Sequence, residues 1–321
     1  MGHPDVQVWT VWLRMLRMKR AAFLGFVLAL FGCAALRAQQ TTMLLWPDGN
    51  PEASRVTGPE YDPTAAENHM VSGKPSVRIT NVSKPNLTVY PAPASKNTGA
   101  AALVFPGGGY VRLSMELEGT EVCDWLNSIG MTCVLVKYRV PETEHYPENT
   151  EDLEDAQQAM RITRGHATEW HIDPKKIGVV GFSAGAHLAV VLSTHPEFEG
   201  KNIPASTIDA RPNFQIVMYP GYTSLPDGKV PDSIKPTAEV PPTFLAQAEN
   251  DYSAHVESSI DYFMALKEAK VPAEMHIYTQ GGHGFGLRPT EFPIAAKWPV
   301  LAEEWLHTIH VLGPPGAVGR P

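Results

Sequence analysis

The segment Ile177-Gly178-Val179-Val180-Gly181-Phe182-Ser183-Ala184-Gly185-Ala186-His187-Leu188 constrains this chain more than any other stretch of its 321 residues. An apolar run without alternation, as a strand covered on both faces requires, leads into Gly-x-Ser-x-Gly and then into a helical pattern. A serine on so sharp a strand-to-helix turn takes unfavourable backbone angles. Glycines belong on either side of it, because a Cβ there would collide where the chain reverses. Such a turn exposes the Ser183 hydroxyl at the C-terminal edge of a sheet. It also leaves the Ala184 N–H free at the start of a helix, as a donor for a developing negative charge. In isolation the same letters also describe a tight turn with a capping serine, so the rest of the chain has to supply partners.

Around this turn, strand-like and helix-like segments trade places. The patterning predicts strands over Asn86–Tyr90, Ala101–Phe105, Cys133–Tyr138, Ile177–Gly181, Phe214–Tyr219, Thr243–Gln247 and Ala273–Tyr278. It predicts helices over Gly119–Ser128, Glu151–Trp170, Ala184–Ser193, Val256–Ala269 and Lys297–Val311. Helices must then flank a mostly parallel central sheet, which places the chain in the α/β class with one domain over 39–312. A hydrophobic content of 43% with 19% charged residues is ample for a core and excludes disordered, collagenous and coiled-coil chains. Residues 43–75, rich in Pro, Gly, Asn and Glu, read as an extended surface arm whose apolar knot is Leu44-Leu45-Trp46. Between Ser224 and Pro242 stand Pro226, Pro231, Pro236, Pro241 and Pro242, which forbid a long helix and limit any cap to a short loop. The tail 313–321 is all turn formers and small residues and is expected to be disordered.

A serine hydroxyl is a poor nucleophile near neutral pH, so it needs a base and a carboxylate to orient that base. Both follow in order. Asp251 comes after the strand Thr243–Gln247, and His283 stands inside Gly281-Gly282-His283-Gly284-Phe285-Gly286, an open loop that core packing does not explain. Glu249 is the rival for the acid. A second piece is Pro106-Gly107-Gly108-Gly109-Tyr110, directly after a buried strand, where three glycines suit a backbone that approaches something closely. The N–H groups of Gly108 and Gly109 are candidates to face the same anion as Ala184. The run lacks the Lys-Ser/Thr ending of a phosphate loop. His166, His171, His187, His307 and His310 have no partners at ligand spacing and read as surface or packing residues, with no metal site. Asp152 and Asp155 suit the start of a helix.

The N-terminus reads as an address. Arg14, Arg17, Lys19 and Arg20 precede sixteen uncharged residues, Ala21–Leu36, and then Arg37-Ala38-Gln39-Gln40. That order matches a secretory signal peptide over 1–38, and the apolar stretch falls short of the roughly 20 residues of a spanning helix. A retained anchor, lipidation at Cys33 and a later start at Met15 or Met18 are the alternatives. Removing residues 1–38 leaves 21 basic against 33 acidic side chains, a charge of −12. A body so acidic is repelled by phosphate backbones and anionic lipid heads, so neither nucleic acid nor a membrane surface is an expected partner. Cys123 and Cys133 then remain, in a helical pattern and at the start of a strand, and read as small buried hydrophobes, with a disulfide as the alternative.

Taken together, Pro106–Tyr110, Tyr138-Arg139-Val140-Pro141, Ile172–Ile177, Gly181–Gly185, Glu249–Asp251 and Gly281–Gly286 resemble the α/β-hydrolase esterase/lipase superfamily over residues 43–311. Leu45-Trp46-Pro47 and the Pro-Gly-Gly-Gly-Tyr loop look most like secreted carbohydrate esterases found beside xylan-degrading enzymes. The resemblance implies an α/β-hydrolase fold with a minimal cap. It further implies Ser183 as nucleophile, Asp251 and His283 as its partners, and Gly108, Gly109 and Ala184 as the oxyanion hole. Pro106 stands where hormone-sensitive-lipase relatives usually carry His, and Asn250 where this subgroup often carries Asp. The expectation is an exported serine carboxylesterase, without cofactor or metal, that removes acetyl or feruloyl groups from a plant polysaccharide. Tyr110, Tyr222, Phe285 and Trp46 are the candidates for its pocket. A general short-chain esterase, or a peptidase or amidase on the same fold, is the alternative; a binding protein with a dead triad would need a missing member, and all three are present.

Overall fold

The computed structural model describes residues 40–314 except 53, 54, 68, 143, 201, 202, 204, 289, 290 and 293, together with the side chains of 295 and 296. The expected leader and the tail beyond Pro314 lie outside the described residues.

Eight strands form the main sheet: β1 (Thr41–Leu44), β2 (Asn86–Tyr90), β3 (Ala101–Phe105), β4 (Thr132–Lys137), β5 (Ile177–Phe182), β6 (Gln215–Met218), β7 (Thr243–Ala248) and β8 (Ala273–Tyr278). Their spatial order is β1-β2-β4-β3-β5-β6-β7-β8. β2 runs antiparallel to both β1 and β4, and every later pairing is parallel. β3 lies between β4 and β5, with Phe105 opposite Gly181, so the glycine loop after β3 and the serine turn after β5 leave the sheet side by side.

The period-two geometry of strands divides the core into two layers. Leu103 and Phe105 of β3, Val134 and Val136 of β4 and Val179 of β5 point to one face, beside helices α2 (Glu151–Gly165), α3 (Ala184–Thr194) and α4 (Glu257–Glu268). Ala102 and Val104, Leu135, and Val180 and Phe182 point to the other, beside α1 (Glu121–Ser128) and α5 (Ile294–Thr308). Both faces are covered, which is why these strands carry no polar alternation.

Four readings of the sequence are corrected. Met43 and Leu44, the start of the expected surface arm, belong instead to an edge strand over 41–44, and Leu45 and Trp46 behind them are buried. The helix expected to reach Trp170 ends at Gly165; the chain continues as turns to His171, whose φ of 55° completes the reversal. Cys123 of α1 and Cys133 of β4 are joined as a disulfide inside the second layer. Asp152 and Asp155 do more than meet a helix dipole, because both are fully buried. Asp155 accepts hydrogen bonds from the Arg139 guanidinium at 3.0 and 3.1 Å and from the Trp46 indole at 2.7 Å.

From Ser224 to Pro242 the only regular element is the three-residue turn Asp232–Ile234, so this stretch contributes no long helix. Among the described residues no helix is long and apolar enough to cross a membrane.

Candidate active site

Ser183 sits between β5 and α3 with φ 53° and ψ −117°, a conformation costly for a residue with a side chain. The strain persists because the surroundings leave no alternative: a Cβ on Gly185 would stand 2.1 Å from the Phe105 carbonyl oxygen, so α3 packs its first turn directly on the end of β3. The Ser183 hydroxyl lies 2.8 Å from His283 Nε2, and His283 Nδ1 lies 2.7 Å from Asp251 Oδ2. Asp251 is almost fully buried at the end of β7, where its Oδ1 accepts the backbone N–H of Ser253 and of Ala254, each at 2.9 Å. Burial raises the pKa of this carboxyl, but the hydrogen bonds from His283 and Ala254 outweigh that effect and hold it below the usual carboxylate value. Asp251 is therefore ionised and pinned on both oxygens. Glu249, the rival acid, is exposed.

The glycine loop packs against this turn. Gly108 and Gly109 have φ of 140° and 66°, and a Cβ on Gly108 would stand 2.1 Å from the Arg112 carbonyl oxygen, so its place demands glycine. Among the described residues the backbone N–H groups of Gly108, Gly109 and Ala184 donate to no protein acceptor. A cleft of about 820 Å³ brings Gly108, Gly109, Ser183 and His283 together. An imidazole held by a carboxylate can take a proton from a hydroxyl, and unpaired N–H groups beside it can receive an anionic oxygen.

A model of the alpha/beta hydrolase fold matches residues 102–233. The crystal structure of an acetyl ester-xyloside bifunctional hydrolase from Caldicellulosiruptor lactoaceticus is similar over 87% of this chain and 100% of that one, at 31% identity and a TM-score of 0.67. The chain belongs to the α/β-hydrolase family. Two curated relatives of this hydrolase are an acetylxylan esterase from Xylanibacter ruminicola, 32% identical over 59% of this chain, and endo-1,4-beta-xylanase B from Butyrivibrio fibrisolvens, 30% identical over 59%. The alignments cover 42% and 33% of those two proteins, so the chain spans less than half the length of either.

The four pocket candidates of the hydrolase separate. Tyr222 lines the cleft and is 45% exposed. Tyr110 does not reach it. Its ring stands 6.0 Å behind that of Tyr222, and its hydroxyl shares a 2.8 Å hydrogen bond with His187 Nδ1. Phe285 is buried with its ring 4.5 Å from Tyr219, and Trp46 is buried against Asp155; neither lines the cleft.

Glu118 and Tyr219 escaped the reading of the sequence, and Asn250 entered it only as a departure from the resembled pattern, without a role. Glu118, almost fully buried in the π-helical turn Glu116–Thr120, accepts the Gly107 N–H at 2.9 Å and the Tyr219 hydroxyl at 2.8 Å. The Tyr219 hydroxyl in turn accepts the Gly286 N–H at 3.3 Å, so one carboxylate ties the glycine loop to the histidine loop. Asn250 Oδ1 accepts the N–H groups of Gly281 and Gly282 at 3.0 and 2.9 Å and fixes the approach to His283. The signal for Asn250 was its position beside the candidate acid; a lone Glu118 on a surface-like stretch offered none.

Proposed function

We propose that this α/β-hydrolase is an exported serine carboxylesterase that removes short acyl groups, acetyl before feruloyl, from a plant polysaccharide such as xylan. The observation that carries it is the continuous hydrogen-bond chain Ser183–His283–Asp251, open to a cleft whose glycine loop presents unpaired N–H groups. Ser183 Oγ attacks the acyl carbonyl carbon, and its proton passes to His283 Nε2. The carbonyl oxygen, now anionic, is received by the N–H groups of Gly108, Gly109 and Ala184. Collapse breaks the bond to the alcohol, which leaves with the proton from His283, and the acyl group stays on Ser183. Water then attacks this ester with His283 as base, releasing the acid and restoring the serine. Asp251 holds the imidazole in the tautomer that both steps need.

The relatives named above, one an acetylxylan esterase and one a hydrolase of acetyl esters and xylosides, support acetyl groups on a xylan-type alcohol. The short loop over 224–242 supplies no greasy cover for a long acyl chain. A disulfide between Cys123 and Cys133 suits an oxidising compartment, which supports export. The test is to incubate the protein and its Ser183→Ala variant with acetylated, feruloylated xylan and follow acetate and ferulate together. Acetate release that falls roughly 10⁴-fold or more in the variant is the expected result. Ferulate in excess would reassign the acyl group, and wild-type activity of Ser183→Ala on every ester tested would overturn the mechanism.

A further inference from the structure

One wall of the cleft is built from a short antiparallel pair, Arg78–Ile79 against Leu113–Ser114, and it carries two arginines, Arg78 and Arg112. Arg112 follows the glycine loop directly: its backbone N–H donates to the Gly108 carbonyl at 3.3 Å, so its side chain starts at the edge of that loop. Arg78 is half-buried, with one guanidinium nitrogen 2.7 Å from His69 Nε2. Because arginine can only donate, His69 accepts there and stays neutral. Burial first, and then the charges of Arg78 and Arg112, also hold the His69 pKa below its usual value.

The two most deeply buried arginines among the described residues have carboxylates of their own: Arg139 meets Glu151, Glu154 and Asp155, and Arg288 meets Glu116 and Glu121. Arg78 and Arg112 have no ion-pair partner within 4 Å among the described residues. The acids whose fields reach Arg78 are Glu118, Asp62 and Glu67. Glu118 is engaged by Gly107 and Tyr219, and Asp62 accepts backbone N–H groups of Arg78 and Thr64. Two like charges share a partly desolvated wall, an arrangement that costs free energy until an anion lies between them. The rest of the molecule is acidic, so this wall departs from its surroundings.

We propose that Arg78 and Arg112 form an anion subsite beside Ser183, so that the preferred ester carries a carboxylate, as on an acidic sugar next to the acylated alcohol. The planar guanidinium matches a carboxylate with two parallel hydrogen bonds. This rests on the esterase reading and names its substrate class.

The test compares kcat/KM within matched pairs, so that any general loss cancels. The pairs are acetylated xylo-oligosaccharides with and without a glucuronic acid branch, 4-acetoxybenzoate against its methyl ester, and 4-nitrophenyl hydrogen glutarate against 4-nitrophenyl butyrate. The first two pairs place the carboxylate on the alcohol side, the third on the acyl side. The wild-type ratio of acidic to neutral is expected to be about fivefold to tenfold on the alcohol side, and to fall within about twofold between 20 and 500 mM salt. Arg78→Gln and Arg112→Gln should each bring the ratio toward one, Arg112→Glu below one, and Arg78→Lys and Arg112→Lys should keep most of it. In the Ser183→Ala protein, calorimetry should show the acidic oligosaccharide bound more tightly than the neutral one. A preference on the acyl side alone would overturn the placement of the carboxylate. Wild-type ratios at or below one, or ratios unmoved by the Gln variants, would overturn the subsite while leaving the esterase intact. No hydrolysis of any ester would remove the esterase reading and this inference with it.

Discussion

Glu118 links the glycine loop after β3 to the histidine loop after β8, and it does so with one carboxylate. Its Oε2 accepts from Gly107, one residue before the candidate oxyanion loop, and its Oε1 accepts from Tyr219, whose ring stands 5.2 Å from that of His283. Burial raises its pKa, and the Tyr219 and Gly107 hydrogen bonds oppose that rise. Glu118→Gln replaces one accepting oxygen with a donor and leaves Gly107 or Tyr219 unmatched. We expect kcat on 4-nitrophenyl acetate to fall about tenfold with KM changed less than about twofold, and far-UV circular dichroism to stay the same. An equal loss in KM would instead place Glu118 in substrate binding. Nothing in Glu116-Leu117-Glu118-Gly119 announced this, because the function of Glu118 depends on a π-turn aiming it inward, and turn geometry has no periodic signature. Ser183 was legible for the opposite reason: local sterics alone force glycines around it.

Among the elements, the parallel strands were readable almost to the residue, because burial on both faces leaves uninterrupted apolar runs such as Ala101–Phe105. β1 was not, since an exposed edge strand of Thr41–Leu44 has no buried pattern to show. The Cys123–Cys133 bond was equally hidden: a separation of ten residues says nothing about distance until α1 lies down on β4. That bond closes a short loop and ties helix to sheet. Reduction, or the double change Cys123→Ala and Cys133→Ala, is expected to cost about 2–3 kcal/mol and lower Tm by roughly 5–10 °C. Catalysis on a soluble ester should survive below the new Tm, since neither cysteine lines the cleft. Differential scanning calorimetry with and without reductant checks both, and an unchanged Tm would show that the pair contributes nothing as a bond.

At the scale of the whole molecule, the stability of the fold is pulled in two directions by pH. Burial, with Asp152, Glu151 and Asp155 nearby, pushes the Glu142 carboxyl well up, and burial chiefly does the same to Asp152. These folded groups keep protons that the unfolded chain gives up, so their contribution is complete at low pH and is lost as pH rises above about 4. Burial pulls the His187 imidazole down to about 3. Here the unfolded chain takes the proton first, so stability is lost as pH falls from about 6.5 toward about 3. Thermal melts from pH 3 to pH 10 should therefore show Glu142→Gln flattening the alkaline decline and His187→Gln the acid one. Parallel curves for wild type and both variants would mean that these groups titrate alike in the folded and unfolded chain.

The loop over 224–242 contributes no long helix that could swing aside from the cleft. Enzymes that hide their serine under an amphipathic cover wait for an oil–water boundary to lift it, and their rate jumps when substrate separates into droplets. The loop over 224–242 forms no such cover. Velocity on tributyrin should follow the dissolved ester along a single hyperbola and level off at the solubility limit, with no second rise as the emulsion forms.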